Sequence, residues 1–269
     1  MTRKVNRRLD PQSSAMQKES EPSFGRRLPE VKRLLITDID NTLIGDDDSM
    51  HKLFEIFQEK KEVMAWGVAT GRSLELTIDA MTEYNFPMPD ILICSVGTEM
   101  YYGPDFRMDK GWQQTISYQW KAEEIKKTLD QLPFLVFQAA EGQRSHKISY
   151  YLEEKEDRLQ QVLTRLQEAK LRFKVIYSHG QFLDVLPMRA SKGKAIEYLM
   201  NKFDFSPRDV MVAGDSGNDE DMINGRARGL VVSNHSDELS HLKNKRNINF
   251  SRKCYAAGII DGLRHYGFV

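Results

Sequence analysis

The sequence predicts an α/β fold, in which a Rossmann-like core built on a parallel sheet carries an inserted α+β cap domain. Three observations predict this architecture. Short apolar runs alternate with helical segments in the first part of the chain. The pattern in the middle part predicts helices packed against antiparallel strands, and the alternating pattern then resumes. Alternating strands and helices are typical of parallel sheets that are covered by helices on both faces.

The first part of the chain contains three short apolar runs, each followed by polar or turn-forming residues. The runs predict buried strands at residues 33–38, 63–70 and 91–96. The segments between them have apolar residues at helical spacing, at 50–57 and 74–84. Connections of this kind place successive strands side by side and in parallel, with their carboxyl ends at one edge of the sheet.

The middle part of the chain has a different order of predicted helices and strands. Helices are predicted at 121–132 and 157–171, and strands at 135–138, 147–152, 173–177 and 182–186. The second helix is amphipathic, with Val162 and Leu166 on its apolar side. The last two strands form a hairpin around residues 178–181, so this part is predicted to be a small α+β unit.

The parallel pattern resumes with a helix at 192–203 and strands at 209–214 and 229–232. The sequence therefore predicts a discontinuous core and an insertion that can cover its catalytic edge. The predicted boundaries are a charged, poorly ordered tail at 1–32, a core at 33–110 and 188–269, and a cap at 111–187.

Composition excludes several classes of function. The 269 residues include 39 Lys plus Arg and 39 Asp plus Glu, so bulk charge attracts neither nucleic acid nor an anionic membrane. No apolar run approaches the roughly 18 residues needed to span a bilayer, and the charged first segment lacks the apolar centre of a secretory signal. Cys94 and Cys254 have no metal-ligand spacing, which indicates a reducing, cytoplasmic setting without a disulfide scaffold.

Two aspartates directly follow the first predicted strand. Asp38 and Asp40 lie two residues apart, so both can face one cleft if the chain stays extended. One carboxylate can attack phosphorus, and the other can protonate the leaving oxygen and later deprotonate water. An acidic turn after a strand explains the pair equally well when it is considered alone.

Polar groups also follow two other predicted strands. Thr70 and Gly71 offer a hydroxyl and backbone N–H groups for phosphate, although a plain helix N-cap accounts for them too. The segment 214–219 offers oxygen ligands of the kind that Mg²⁺ prefers, although an ordinary turn has the same composition. Lys192 opens a helix and can neutralise phosphate charge, with a surface lysine as the alternative.

Together, in this order, these motifs resemble those of the haloacid dehalogenase (HAD) superfamily of phosphotransferases, over about residues 33–269. The resemblance implies that Asp38 is the nucleophile and Asp40 the acid/base. It implies phosphate binding by Thr70, Gly71, Lys192 and Asn218. It also implies Mg²⁺ binding by Asp38, the backbone carbonyl of Asp40 and Asp215, with Asp219 and Ser216 acting through water.

Several short segments resemble the sucrose-phosphate phosphatase family within this superfamily. They are residues 38–42, 69–73, 96–101, 147–150, 184–187 and 214–219. The candidate sugar contacts are Arg72, Glu99, Lys147, Ser149 and Asp184. Solvated positions on a sheet face explain Lys147 and Asp184 equally well. Trp112 and Trp120 are candidates for stacking on a sugar, with packing in the core or hinge as the favoured reading.

The resemblance implies hydrolysis of sucrose 6-phosphate by a Mg²⁺-dependent phosphatase. Three alternatives stay open: a phosphatase for another disaccharide phosphate such as mannosylfructose phosphate, a phosphosugar mutase, or a non-catalytic module that serves a glycosyltransferase. The expected ligand is a small sugar phosphate, and the candidate protein partner is the glycosyltransferase that makes this sugar phosphate. The chain is expected to be a monomer that binds neither nucleic acid nor membrane.

Overall fold

The computed structural model describes residues 27–153, 155 and 157–269. Within this part of the chain the strands are β1 Arg33–Thr37, β2 Met64–Ala69, β3 Ile91–Cys94, β4 Glu99–Tyr102, β5 Arg107–Met108, β6 Val136–Phe137, β7 Ile148–Tyr151, β8 Lys174–Ser178, β9 Phe182–Leu186, β10 Val210–Gly214, β11 Arg228–Val231 and β12 Ile248–Phe250. The α-helices are α1 Asp47–Lys60, α2 Leu74–Glu83, α3 Lys110–Ile116, α4 Ala122–Leu129, α5 Arg158–Glu168, α6 Lys192–Lys202, α7 Glu220–Ile223 and α8 Tyr255–His265.

The larger sheet has the strand order β12-β11-β10-β1-β2-β3-β4-β5. The strands from β12 to β3 are parallel, and β4 and β5 extend the sheet in the antiparallel sense. Neighbouring residues of β1 point to opposite faces, so Ile36 packs with α3, α6 and α7 while Leu35 packs with α1, α2 and α8. The predicted α/β fold is confirmed.

The smaller sheet has the order β6-β7-β9-β8, and all of its pairs are antiparallel. One face packs against α4 and α5, where the buried side chains include Leu129, Val162 and Leu166. Tyr150 and Leu183 meet these helices from the sheet. The other face of the sheet turns toward the carboxyl edge of the larger sheet, as the side chains described below show.

Two of the three predicted domain boundaries, those after residues 32 and 110, need correction. Residues 1–26 of the predicted tail lie outside the described residues, but residues 27–32 pack on the core: Leu28 is fully buried, and the Arg27 guanidinium donates to Asp90 Oδ1 at 2.9 Å. At the other boundary, Trp112 and Ile116 of α3 are buried in the cluster beneath the larger sheet. The core therefore begins before residue 33 and retains α3, and the cap begins after that helix.

Candidate active site

The candidate catalytic residues directly follow three adjacent strands of the larger sheet. In the order β10-β1-β2, all three strands are parallel, so their carboxyl ends lie at one edge of the sheet. Asp38 follows β1, Thr70 follows β2, and Asp215 follows β10. The backbone N–H of Asp38 still donates to Ala213 O at 2.9 Å, which holds the first carboxylate at the sheet.

Lys192, the first residue of α6, lies at the centre of this edge and is fully buried. Its ammonium nitrogen is 2.7 Å from Asp38 Oδ1, 2.6 Å from Asp219 Oδ1 and 2.8 Å from Asn218 Oδ1. Burial works to lower the pKa of Lys192, but the charges of Asp219 and Asp38 outweigh it and raise this pKa. The neighbouring carboxylates therefore favour the charged form of this lysine.

Three buried carboxylates surround this lysine. One ligand oxygen from each of Asp38, Asp215 and Asp219 lies within 4.8 Å of the other two. Thr42 Oγ1 donates to Asp215 Oδ1 at 2.9 Å, and Asp219 Oδ2 accepts from the backbone N–H groups of Asp215 and Ser216 at 3.0 and 3.2 Å. These bonds orient the carboxylates toward one another, against their mutual repulsion.

The electrostatics of the cluster favour a bound cation. Burial raises the pKa of Asp38, and burial together with the charge of Asp219 raises the pKa of Asp215 to about 7. One ammonium group does not balance three carboxylates, and oxygen donors of this kind suit a hard cation such as Mg²⁺. The donor set therefore fits the metal that the sequence predicted.

Asp40 does not join the cluster through its carboxylate. Its two oxygens accept from Arg72 Nε and Nη2 at 2.9 and 2.7 Å, a bidentate pair that faces the cleft. Burial works to lower the pKa of Arg72, but its hydrogen bond to Asp40 outweighs this and raises the pKa. The side chain of Asp40 is half exposed, which leaves it accessible to a substrate.

Thr70 does not cap α2, contrary to the simple alternative for this motif. The N-cap is Ser73, whose hydroxyl accepts from Leu76 N, whereas Thr70 Oγ1 accepts from Arg72 N at 3.1 Å. Thr70 is fully buried, so its hydroxyl shapes the turn that presents Gly71 and Arg72 to the cleft.

A cavity of about 410 Å³ lies between the carboxyl edge of the core and the open face of the cap sheet. Its walls include eight of the predicted site residues: Asp38, Asp40, Gly71, Arg72, Lys147, Asp184, Ser216 and Asn218. The remaining predicted residues do not line it: Thr70, Glu99, Ser149, Lys192, Asp215 and Asp219. A cavity of this size accommodates a small organic ligand.

On the cap side, Lys147 and Asp184 face the cavity with charged groups 3.6 Å apart. Ser149 stands behind them, and its hydroxyl donates to Asp184 Oδ1 at 2.5 Å. Glu99 also acts from behind, since it accepts from Ser95 Oγ at 2.9 Å and lies 3.9 Å from Arg144. Ser149 and Glu99 therefore support wall residues.

The structure adds wall residues that no sequence motif marked, including Gln138, Arg144, Ser178 and Phe182. Arg144 is a cap residue that also reaches the core, where it pairs with Glu75 at 3.0 Å. The cross-strand pairing of Ser178 and Phe182 at the β8–β9 hairpin was predictable, but its direction toward the core was not.

The loop after β3 approaches α6 closely. Ser95 and Val96 have left-handed φ angles of 51° and 58°, and Gly97 follows with φ 88°. A Cβ on Gly97 would lie 2.2 Å from the backbone carbon of Ser191. Trp112 Nε1 donates to Gly97 O at 3.0 Å, so this indole packs in the core instead of stacking on a ligand.

A family model described as sucrose-6F-phosphate phosphohydrolase matches residues 31–267. The chain belongs to this family. The resemblance seen in the motifs is therefore confirmed. Sucrose-phosphatase 2 of Nicotiana tabacum is 32% identical over an aligned length of 254 residues, and the match covers 87% of this chain and 59% of the relative. The chain thus spans well under two thirds of that relative's length.

Two further relatives are matched along nearly their whole length. The X-ray structure of the sucrose-phosphatase from Synechocystis, in complex with sucrose and phosphate, has a TM-score of 0.84 and 29% identity, covering 88% of this chain and 98% of that chain. The mannosylfructose-phosphate phosphatase of Agrobacterium fabrum is 28% identical over 242 residues, and the match covers 87% of this chain and 97% of that relative.

Across the described residues, no helix has the length and apolar character needed to cross a membrane.

Proposed function

We propose that this chain hydrolyses sucrose 6-phosphate to sucrose and phosphate, through an aspartyl-phosphate on Asp38. The observation that carries the proposal is the position of Asp38. Its carboxylate lies 2.7 Å from a buried ammonium group and forms part of the wall of a cavity that both core and cap enclose. The relative from Synechocystis, which holds sucrose and phosphate, supports the choice of sugar.

In the first step, a carboxylate oxygen of Asp38 attacks phosphorus, and the bond from phosphorus to the sugar oxygen breaks. Asp40 gives its proton to the departing sugar oxygen, so that the sugar leaves as a neutral alcohol. In the second step, Asp40 takes a proton from water, the water oxygen attacks phosphorus, and Asp38 is released with inorganic phosphate. Lys192 neutralises charge throughout, and Asn218 and the Thr70–Arg72 turn position the phosphoryl group.

The pair between Asp40 and Arg72 must open before Asp40 can act as an acid. A carboxylate that accepts from both arms of a guanidinium carries no proton to donate. The phosphate of the substrate is a competing bidentate acceptor for Arg72, since both groups face the cleft. Entry of the substrate would therefore free Asp40 to take up a proton from solvent, which it then passes to the departing sugar oxygen.

Asp38, Asp215 and the backbone carbonyl of Asp40 would hold Mg²⁺, with Asp219 and Ser216 acting through water. When bound, the metal would offset the negative charge that gathers between nucleophile and phosphate. We expect chelation of divalent cations to lower phosphate release at least about 100-fold, and added Mg²⁺ to restore it. Full activity after exhaustive chelation would contradict the metal assignment.

Mannosylfructose phosphate is the second candidate substrate, because the chain covers nearly all of a relative with that activity. The two substrates are both disaccharide phosphates and need the same core chemistry. A phosphosugar mutase would return the phosphate to sugar, so stoichiometric release of inorganic phosphate separates it from a phosphatase. A module that only binds a glycosyltransferase would release none.

The test is phosphate release from a panel of mono- and disaccharide phosphates with Mg²⁺. We expect sucrose 6-phosphate to give the highest kcat/KM and Asp38→Asn to lower kcat by more than about 1,000-fold. Asp79→Asn, an exposed position on α2, is the matched control and should retain activity. Equal turnover of fructose 6-phosphate and sucrose 6-phosphate would argue against the sugar, and an active Asp38→Asn would overturn the mechanism.

A further inference from the structure

An apolar row crosses the open face of the cap sheet and runs from the cavity to solvent. Phe182 lines the cavity, Tyr151 lies beside it with ring centroids 5.8 Å apart, and Val136 continues the row. Tyr151 is 44% exposed and Val136 is 60% exposed. Contiguous exposed apolar patches that are rimmed by polar residues mark ligand-binding grooves and interaction sites.

The strand register proves that these side chains share a face with the polar wall. Val136 pairs with Tyr151, and Tyr151 pairs with Phe182, so all three project to the same side. Asp184 lies two residues beyond Phe182 on β9 and therefore projects to that side as well. The cap thus offers a surface that is polar at one end and aromatic at the other.

The opposite face of the same sheet is already used. Tyr150 and Leu183 are buried there against α4 and α5. Phe137 also lies on that side, in edge contact with Tyr150 at 5.4 Å. Among the described residues no helix of that cluster covers the Tyr151–Phe182 row, so the row is open to a ligand.

A sugar ring is amphipathic, with hydroxyl groups around its rim and C–H groups on its faces. Polar groups therefore bind the rim, and a flat aromatic side chain packs against a face. A monosaccharide phosphate held at Asp38 places its single ring close to the core. A disaccharide phosphate extends a second ring farther from the phosphate, toward the cap.

We propose that Phe182 and Tyr151 form an aromatic platform for the sugar ring farthest from the phosphate, and that this platform selects disaccharide over monosaccharide phosphates. The inference rests on the proposed function and assigns its substrate selectivity to residues outside the core motifs. Phe182 contacts the ring inside the cavity, and Tyr151 extends and supports that surface at its mouth. His179, which also lines the cavity, makes an edge contact with Phe182, with ring centroids 6.0 Å apart.

The experiment compares Phe182→Ala and Tyr151→Ala with Phe137→Ala, a matched aromatic control on the opposite face of the sheet. The first measurement is the ratio of kcat/KM for sucrose 6-phosphate to that for fructose 6-phosphate. We expect Phe182→Ala to lower this ratio about tenfold and Tyr151→Ala about threefold, mainly through KM for the disaccharide. Phe137→Ala should leave the ratio within about twofold.

A second measurement, calorimetric binding of free sucrose, does not depend on turnover. Weaker binding by Phe182→Ala than by Phe137→Ala supports the platform, even if the wild-type chain fails to hydrolyse sucrose 6-phosphate and the proposed function falls. If Phe182→Ala and Phe137→Ala share the same selectivity ratio and the same sucrose affinity, the platform is refuted while the phosphatase assignment stands. A chain that neither hydrolyses nor binds a disaccharide refutes both.

Discussion

Replacement of Lys192 by methionine tests the electrostatic arrangement of the whole site. The substitution keeps most of the buried volume and removes one positive charge from contact with Asp38, Asp219 and Asn218. Breaking a buried ion pair by removing one partner typically costs about 3–5 kcal/mol, because the other charge stays buried and unpaired. We expect a loss of this size in the free energy of unfolding of the metal-free protein at pH 8.

The loss should shrink as the pH falls. Burial raises the pKa of Asp38, the charge of Lys192 works against that rise, and removal of Lys192 therefore raises this pKa further. A carboxyl group whose pKa is higher in the folded state than the ordinary value of about 3.9 binds a proton on folding, and this favours the fold at low pH. The variant should thus be closer to wild type at pH 5.5 than at pH 8.

Urea denaturation at both pH values, with and without Mg²⁺, measures these differences. Lys194→Met is the matched control, because Lys194 lies two residues along the same helix and its side chain is 57% exposed in a pair with Glu197. That control should change stability by less than about 0.5 kcal/mol. Phosphate release by Lys192→Met should fall about 100- to 1,000-fold. A metal-free Lys192→Met protein that is as stable as the control at pH 8 would refute the reasoning.

Two further substitutions test how the core positions the site. Asp109 accepts hydrogen bonds from Tyr102 Oη, Trp112 N and Lys202 Nζ at 2.6, 2.9 and 2.8 Å. Asp109→Asn should therefore lower the free energy of unfolding, measured by urea denaturation at pH 7, by about 1–3 kcal/mol. The control Asp105→Asn, at an exposed position, should not lower it. Burial works to raise the pKa of Asp109, but these hydrogen bonds outweigh it and lower the pKa. The stabilisation by the Asp109 carboxylate is therefore present above about pH 4 and is lost as the pH falls further. A destabilisation by Asp109→Asn that does not change with pH would contradict this account. Gly97→Ala places a side chain on a residue with a left-handed φ and also makes it clash with the backbone of Ser191, whereas Gly267→Ala has the same backbone strain in open space. We expect the free energy of unfolding of Gly97→Ala to be at least about 2 kcal/mol lower than that of Gly267→Ala. Equal losses in the two variants would disprove the close approach of Gly97 to Ser191.

Local sequence patterns predicted the strands and helices that carry the motifs. Runs such as residues 33–37 and 64–69 are buried on both faces of a central sheet, and only a continuous apolar run satisfies that environment. The antiparallel β4 and β5, the edge strand β12 and the helices α3 and α8 were not predicted. These segments mix polar and apolar residues, and such mixtures lack a strong period.

The sequence also limited the chemistry, because the residue types at the strand ends suit phosphoryl transfer. It did not reveal which groups touch. Lys192 and Asp38 are separated by 154 positions in the chain, and Glu99 resembled a sugar contact until its carboxylate was found behind the cavity wall.

By itself, then, the sequence determined the fold class and the family, since both follow from short-range patterns and residue types, and it predicted the reacting groups. The tertiary structure alone decided that Ser149 and Glu99 support the cavity wall, that Asp40 rests on Arg72, and that Phe182 faces the cavity. The physical reason is that distances between segments far apart in the chain depend on the packing of the whole sheet and cap. No local pattern encodes that packing.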